Sequence, residues 1–324
     1  MNTTAETSGR ILHLQRLSTE DGPGIRTTIF FKGCPLHCTW CHNPESISPK
    51  FQIQWFADRC IGCETCLELC KINALSRQDG RLLIDRDICS GCGACAEGCP
   101  TTALEILGRT TNIPDLMADL VKDRVYYEKS NGGVTLSGGE PGAQAEFSER
   151  LLSELRTAGI PTALDTCGLL NPDSFMRLLP LTDYLLFDIK TINDAEHKHF
   201  TGQSNRLILQ NLLAAGEYIR EHHGKPVLWI RTPLIPGATA EEACIREIGQ
   251  YLAEHLSDCV ERWEICAFNN LCRDKYSRLG LDWEFAGEPL FTRETLNRFE
   301  ALARNCGMTP GRVAVTGAAR STDS

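Results

Sequence analysis

The spacing of the cysteines constrains this chain more than any other feature. Eleven of the seventeen fall between Cys34 and Cys99, in three groups. Cys34, Cys38 and Cys41 make a C-x3-C-x2-C run. Two runs of the form C-x2-C-x2-C-x3-C follow, at Cys60, Cys63, Cys66 and Cys70 and again at Cys89, Cys92, Cys95 and Cys99. Disulfides do not persist in a reducing compartment, so thiols crowded in this way call for metal. The six cysteines scattered from Cys167 to Cys306 read as small buried hydrophobes.

Around these groups the chain divides into three stretches. From about Phe56 to Leu107 it is mostly Cys, Gly and short apolar pieces, which marks an inserted module over residues 55–108. Residues 1–54 and 109–324 then belong to one α/β body. With 324 residues, 42% of them hydrophobic, the chain is long enough for one large core plus that module. An apolar run, Thr27–Lys32, leads into the first cysteines and predicts a strand ending in their loop. After the module, an amphipathic stretch at Ile113–Lys129 and a helix at Phe147–Ala158 alternate with strands near Gly133–Leu136 and Pro161–Leu164. Strands near Tyr184–Phe187, Val227–Arg231 and Arg262–Cys266 follow, with helices near Leu207–Arg220 and Glu241–Leu256. Such alternation predicts a parallel sheet with helices outside it, and ligands collect at the carboxyl ends of its strands.

Three thiolates on one short loop hold three irons of a cubane cluster and leave the fourth iron open to a substrate. A structural zinc loop uses the same residue type, so this run alone leaves both open. The segment Ser137-Gly-Gly-Glu-Pro141 ends a predicted strand, where glycines let backbone approach a ligand and a carboxylate can accept from an amino group. The other two runs have the bacterial ferredoxin spacing, in which the fourth cysteine ligates the other cluster. That rule assigns Cys60, Cys63, Cys66 and Cys99 to one cluster and Cys89, Cys92, Cys95 and Cys70 to the second. Pro100 follows Cys99 as usual; Lys71 replaces the proline after Cys70.

Taken together, the chain resembles the glycyl radical enzyme activating enzymes of the radical S-adenosylmethionine superfamily, in the subgroup with a ferredoxin-like two-cluster insert. Asp21-Gly-Pro-Gly-Ile-Arg-Thr27 and Phe31-Lys-Gly-Cys-Pro-Leu-His-Cys-Thr-Trp-Cys-His-Asn-Pro-Glu45 carry most of the likeness. The resemblance implies a partial (β/α)6 TIM-type barrel with the insert, and three [4Fe-4S] clusters, one of them binding S-adenosyl-L-methionine. It implies reductive cleavage of that cofactor to a 5′-deoxyadenosyl radical, which takes hydrogen from a glycine of a partner glycyl radical enzyme. A flavodoxin or ferredoxin is the expected electron donor. Carried over residue by residue, Cys34, Cys38 and Cys41 hold the catalytic cluster, and Trp40 and His42 flank the adenine. Gly138, Gly139 and Glu140 form the amine-binding turn. Asp188-Ile189-Lys190 and Arg231 serve the methionine carboxylate region, and Asp165, Thr166 and Asp188 are candidates for a monovalent cation. Asp21 is expected to hydrogen-bond the partner's glycine loop. One departure stands out: Asn269 occupies the place where the family carries a cofactor-contacting His. Asn bonds as donor and acceptor but cannot become cationic near neutral pH.

Charge and termini exclude other classes. A formal charge of -9 with no basic run gives no nucleic-acid footprint. Met1–Arg10 is polar and does not read as a secretory signal, and no window approaches a membrane span, so a cytoplasmic protein is expected. Two rivals are kept in view. A radical enzyme with auxiliary clusters acting on another protein or a small molecule carries its extra cysteines after the barrel; a pure electron carrier needs no three-cysteine loop and no long α/β body.

Overall fold

The computed structural model describes residues 7–320; the polar start Met1–Glu6 lies outside them. Thirteen strands are described. In chain order they are β1 Ser8–Ser18, β2 Arg26–Phe31, β3 Gln52–Trp55, β4 Leu75–Gln78, β5 Arg81–Ile84, β6 Leu104–Leu107 and β7 Arg109–Asn112. The rest are β8 Gly133–Gly138, β9 Thr162–Thr166, β10 Tyr184–Asp188, β11 Val227–Leu234, β12 Val260–Ala267 and β13 Val313–Thr316. Nine of them form one open sheet in the order β13-β12-β11-β10-β9-β8-β2-β1-β7. From β2 to β13 every neighbouring pair is parallel; β1 and β7 are added antiparallel at the other edge.

The physical reason is legible in burial. β2, Arg-Thr-Thr-Ile-Phe-Phe, is buried at all positions, as a central parallel strand covered on both faces must be. Its one charge, Arg26, is satisfied inside: Nε donates to Thr135 Oγ1 at 2.6 Å and Nη2 to the Val134 carbonyl at 2.7 Å. β1 instead leaves most of its second half partly or fully exposed and breaks register with β2 twice, the behaviour of a strand near a sheet edge. Helix Ala145–Thr157 lays Phe147, Leu151, Leu152 and Leu155 into the main core, and Arg293–Arg304 covers the far edge with Leu296, Phe299 and Ala303.

Strands expected from sequence stand where they were placed, with ends moved by a few residues: β11 runs on to Leu234 and β12 begins at Val260. The stretch Ile113–Lys129 is two helices, Ile113–Leu120 and Arg124–Ser130, separated by a tight turn at Val121–Asp123. Asp123 is drawn inward there, accepting from Thr27 Oγ1 at 2.7 Å. The antiparallel β1 and β7, the short β13 and helix Arg293–Arg304 were not foreseen.

Between β2 and β8 the chain makes an excursion. β3 leaves and β6 returns beside it, paired antiparallel from Gln52↔Leu107 to Trp55↔Leu104. Between them lie the β4–β5 hairpin and two short helices, Thr65–Leu69 and Ala94–Glu97. Ile53, Leu75, Cys95 and Leu104 form a small core of their own, with Cys66, Cys70, Cys89 and Cys99 packed against it. Gly108 closes the excursion at φ +97°, pressed so near Lys32 and Phe51 that a Cβ would sit 2.7 Å from Lys32 Cδ.

Candidate active site

The first cysteine group occupies the loop after β2, at the carboxyl edge of the sheet. Its backbone is tied from below and above. Gly33 N donates to the Ser46 carbonyl at 2.7 Å, Cys34 N to Ile47 at 3.0 Å, His37 N to Thr201 at 2.9 Å and Thr39 N to Phe200 at 3.0 Å. Over it lies the segment after β12. Tyr276 Oη donates to the Cys41 carbonyl at 2.8 Å, Trp283 Nε1 to Thr39 at 3.0 Å, and Lys275 Nζ to the His42 carbonyl at 3.1 Å and Asn43 Oδ1 at 2.8 Å. Lys275 also pairs with Glu45 at 2.8 Å. Trp40 joins Phe268, Tyr276, Trp283 and Phe285 in an apolar cluster that seals this side. The sequence had marked Trp40 and His42; the covering residues Cys272, Lys275, Tyr276 and Trp283 were missed as site builders. In the sequence they are signalled only by the Lys275-Tyr276 pair that follows Asn269.

Burial sets the chemistry of the three thiols. It pushes Cys38 up to about 11 and raises Cys41 as well, because a thiolate loses its hydration there. Cys34 behaves differently. A hydrogen bond from Cys167 holds it below the usual thiol value, and the same bond, with burial, holds the proton on Cys167. Cys167 had been read as one more scattered hydrophobe; at the end of β9 it is a buried fourth thiol beside the loop. Thiols of this kind ligate as thiolates only when a cation replaces the proton, so the donor set fits a bound iron–sulfur group.

The turn after β8 is pressed against the same loop. Gly138 has φ +97°, and a Cβ on Gly139 would stand 2.3 Å from the Gly33 carbonyl oxygen, so neither position admits a side chain. Glu140 N donates to that Gly33 carbonyl at 2.8 Å. The Glu140 side chain turns inward and is wholly buried. It accepts from Thr166 Oγ1 at 2.9 Å, Cys167 N at 2.8 Å and Gly142 N at 2.8 Å, tying the ends of β8 and β9 together beneath the loop. Burial raises this carboxyl above its ordinary value, against the pull of those donors.

Charged residues ring the rest of the edge. Lys190 Nζ meets Asp188 at 2.9 Å; burial opposes its charge, but Asp188 and the nearby thiols of Cys38 and Cys167 outweigh it and raise the ammonium above the usual lysine value. Arg231 reaches Asp165 at 3.4 Å and Glu264 at 3.7 Å. Burial pushes Asp165 up to about 6 against the pull of Arg231, and Ser137 Oγ donates to it at 2.6 Å. Ile189 is buried and its N–H donates to the Arg231 carbonyl at 2.9 Å. Asp21 takes Ser18 Oγ and Thr28 Oγ1, both at 2.6 Å and both on Oδ2. Burial lowers the His42 imidazole below its ordinary value, and its Nε2 is buried with no partner. Asn269 turns back on its own loop, its Oδ1 accepting from Leu271 N at 3.2 Å.

The other eight clustered cysteines line two hollows in the excursion. One is bordered by Cys60, Cys63, Cys66 and Cys99; the other by Cys70, Cys89, Cys92 and Cys95. Each run therefore contributes three cysteines to one hollow and its fourth to the other. All seventeen cysteines are free of disulfides.

A parallel sheet carrying a three-thiol loop at its carboxyl edge is the layout of radical S-adenosylmethionine proteins. The chain matches the family described as Radical SAM superfamily over residues 90–246, a 4Fe-4S dicluster domain over 59–103 and a 4Fe-4S single cluster domain over 20–69. It is 38% identical to an isethionate sulfite-lyase activating enzyme of Nitratidesulfovibrio vulgaris, over 92% of this chain and 95% of that one. It is likewise 38% identical to a trans-4-hydroxy-L-proline dehydratase activating enzyme of Clostridioides difficile, over 91% and 94%. A solved spore photoproduct lyase shares the fold, with a TM-score of 0.50 at 13% identity, over 94% of this chain and 80% of that one. The chain belongs to the activating enzymes of glycyl radical enzymes, within the radical S-adenosylmethionine superfamily. It is an iron–sulfur oxidoreductase that cleaves S-adenosylmethionine reductively and uses the resulting 5′-deoxyadenosyl radical to take hydrogen from a glycine of a partner enzyme.

Proposed function

We propose that the eleven clustered cysteines hold three [4Fe-4S] clusters: one on Cys34, Cys38 and Cys41, one on Cys60, Cys63, Cys66 and Cys99, and one on Cys70, Cys89, Cys92 and Cys95. The observation that carries this reading is the pair of hollows, each bordered by four cysteines with the fourth exchanged between runs. The first cluster, when bound, supplies one electron to the sulfonium and leaves an iron open for the methionine moiety. Around it the chain's own residues orient the cofactor. Gly138 and Gly139 bring backbone close enough to meet an amine, while Lys190 and Arg231 offer cations to the carboxylate. Trp40 and His42 border the adenine, with the unpartnered His42 Nε2 as the polar atom on that side. Glu140 acts here as the strap that holds the turn, through its bonds to Thr166 and Cys167.

In this reading residues 55–108 are a ferredoxin-like insert in a partial (β/α)6 barrel made by 1–54 and 109–324. The insert passes single electrons inward from a flavodoxin or ferredoxin, and the protein works in the cytoplasm. Asp165, Thr166 and Asp188 hold a monovalent cation, Asn269 borders the cofactor through its turn, and Asp21 faces the partner's glycine loop. The relatives' partners, a sulfite-lyase and a dehydratase, point to a glycyl radical lyase or dehydratase as this chain's protein substrate. The test is isotopic. A partner deuterated at the target glycine α-carbon should transfer deuterium to 5′-deoxyadenosine, and Asp21→Ala should weaken that transfer more than it weakens uncoupled cofactor cleavage. Cofactor cleavage without label, with the correct partner supplied, overturns the reading.

A further inference from the structure

The two four-cysteine sets are tied unequally to the body that carries the first cysteine loop. Lys32, two residues before Cys34, donates from Nζ to the Glu45 carbonyl at 2.6 Å and to Gln52 Oε1 at 3.1 Å, so the body of the protein grips the first residue of β3. Ile53, one residue further on, borders the hollow of Cys70, Cys89, Cys92 and Cys95. Trp55, on the same face two residues beyond, borders the hollow of Cys60, Cys63, Cys66 and Cys99. Two residues along a strand span about 7 Å, so Trp55 stands about that much further than Ile53 from the end of β3 that Lys32 grips.

Three further contacts point the same way. Gly91, between Cys89 and Cys92, lies so tightly on Phe51 that a Cβ would be 2.2 Å from the Phe51 carbonyl oxygen, and Phe51 in turn packs on Gly108 beside Lys32. Arg86, three residues before Cys89, donates from Nη1 to the Ile53 carbonyl at 2.6 Å and from Nη2 to the Leu279 carbonyl at 2.8 Å. Leu279 ends the helix Arg273–Leu279, whose Lys275 and Tyr276 hold the backbone of Cys41 and His42. Around the other set the bonds stay within the excursion: Arg59 reaches Thr102 and Glu105, and Gly62 meets Arg77. The body touches that side through the long side chain of Arg278, stacked on Phe56 at the outer end of β3.

We propose that Cys70, Cys89, Cys92 and Cys95 form the inner relay set, which hands the electron to the Cys34–Cys38–Cys41 loop, and that Cys60, Cys63, Cys66 and Cys99 form the outer set, which receives it. The inference rests on the reading of both hollows as cluster sites. With clusters bound, one electron from a reduced low-potential carrier protein would cross the outer set, the inner set and the first-loop site to the sulfonium, whose carbon–sulfur bond would break to give methionine and the 5′-deoxyadenosyl radical. Carrier and cofactor change by one electron each. The fourth-cysteine exchange serves this order, since Cys70 of the first run and Cys99 of the second bind the two sets into one unit.

The experiment reads position directly, without turnover. In reconstituted full-length protein reduced with dithionite and supplied with S-adenosylmethionine, the spin on the first loop relaxes faster when a second reduced cluster is close. Cys92→Ser, whose hydroxyl ligand lowers the potential of the inner set and keeps it oxidised, should remove most of that enhancement. Cys63→Ser should leave the first-loop relaxation within about twofold of wild type. If either variant fails to load, a second pair decides in the same way: Cys89→Ser, in the inner set, should remove the enhancement and Cys60→Ser, in the outer set, should keep it. Loss of enhancement in Cys63→Ser with retention in Cys92→Ser overturns the order. A protein that binds iron only at the first loop overturns the cluster reading itself, and iron content separates the two failures.

Discussion

Replacing Glu140 by Ala tests whether this residue is a strap or a ligand. The carboxylate is fully buried and accepts from the Thr166 hydroxyl and from the amides of Cys167 and Gly142. Thr166 Oγ1 can rotate toward another acceptor, but the two amides cannot, and each unmet buried donor costs about 1–3 kcal/mol. The loss is then about 4 kcal/mol, a large share of the ~5–15 kcal/mol that holds a domain together. At about 2–4 °C per kcal/mol for chains of a couple of hundred residues, the melting midpoint of the reconstituted protein should fall by about 10 °C. Glu140→Gln keeps one acceptor oxygen and turns an amide NH2 toward a donor, so about half the loss is expected, and it keeps the test informative if the Ala variant does not fold. The assay is an anaerobic melting curve beside a titration with S-adenosylmethionine. A midpoint within about 2 °C of wild type, with cofactor affinity sharply reduced, would falsify the strap and make the carboxylate a direct ligand.

Three further outcomes are expected. Anaerobic reconstitution should end at about twelve irons per chain; saturation near four, with zinc making up the balance, would remove the insert clusters. Tyr276→Phe leaves the Cys41 carbonyl without its 2.8 Å donor, which should alter the resonance of the first-loop cluster with cofactor bound while the insert signals stay put; an unchanged spectrum would show that the cover does not bear on the loop. Cys244, buried at 5% exposure with its thiol pushed up to about 11, should resist alkylation at pH 8, where about one molecule in a thousand carries the thiolate, and its labelling should quicken about tenfold per pH unit up to about 11. Rapid labelling at pH 8 without denaturant would contradict its placement in the core.

Much of this protein is determined by short-range sequence. The three cysteine runs set which thiols stand together on one loop, because a few residues of chain span only a few ångströms. The parallel strands β2 and β8 to β12 are legible as short stretches rich in apolar and β-branched residues that alternate with helical periodicity. The Gly138-Gly139 turn is legible because side chains there would strike backbone. What the tertiary structure alone decided lies far apart in the chain. The Cys41 carbonyl meets Tyr276 across 235 positions, Cys167 comes to lie beside Cys34, and Arg86 meets Leu279 across 193. Nothing local distinguishes Cys167 from the other scattered thiols, and Glu140 reads from sequence as a group free to meet an amine. Only when β8 and β9 pack side by side does its carboxylate meet Thr166 and Cys167, where burial makes each unmet amide costly.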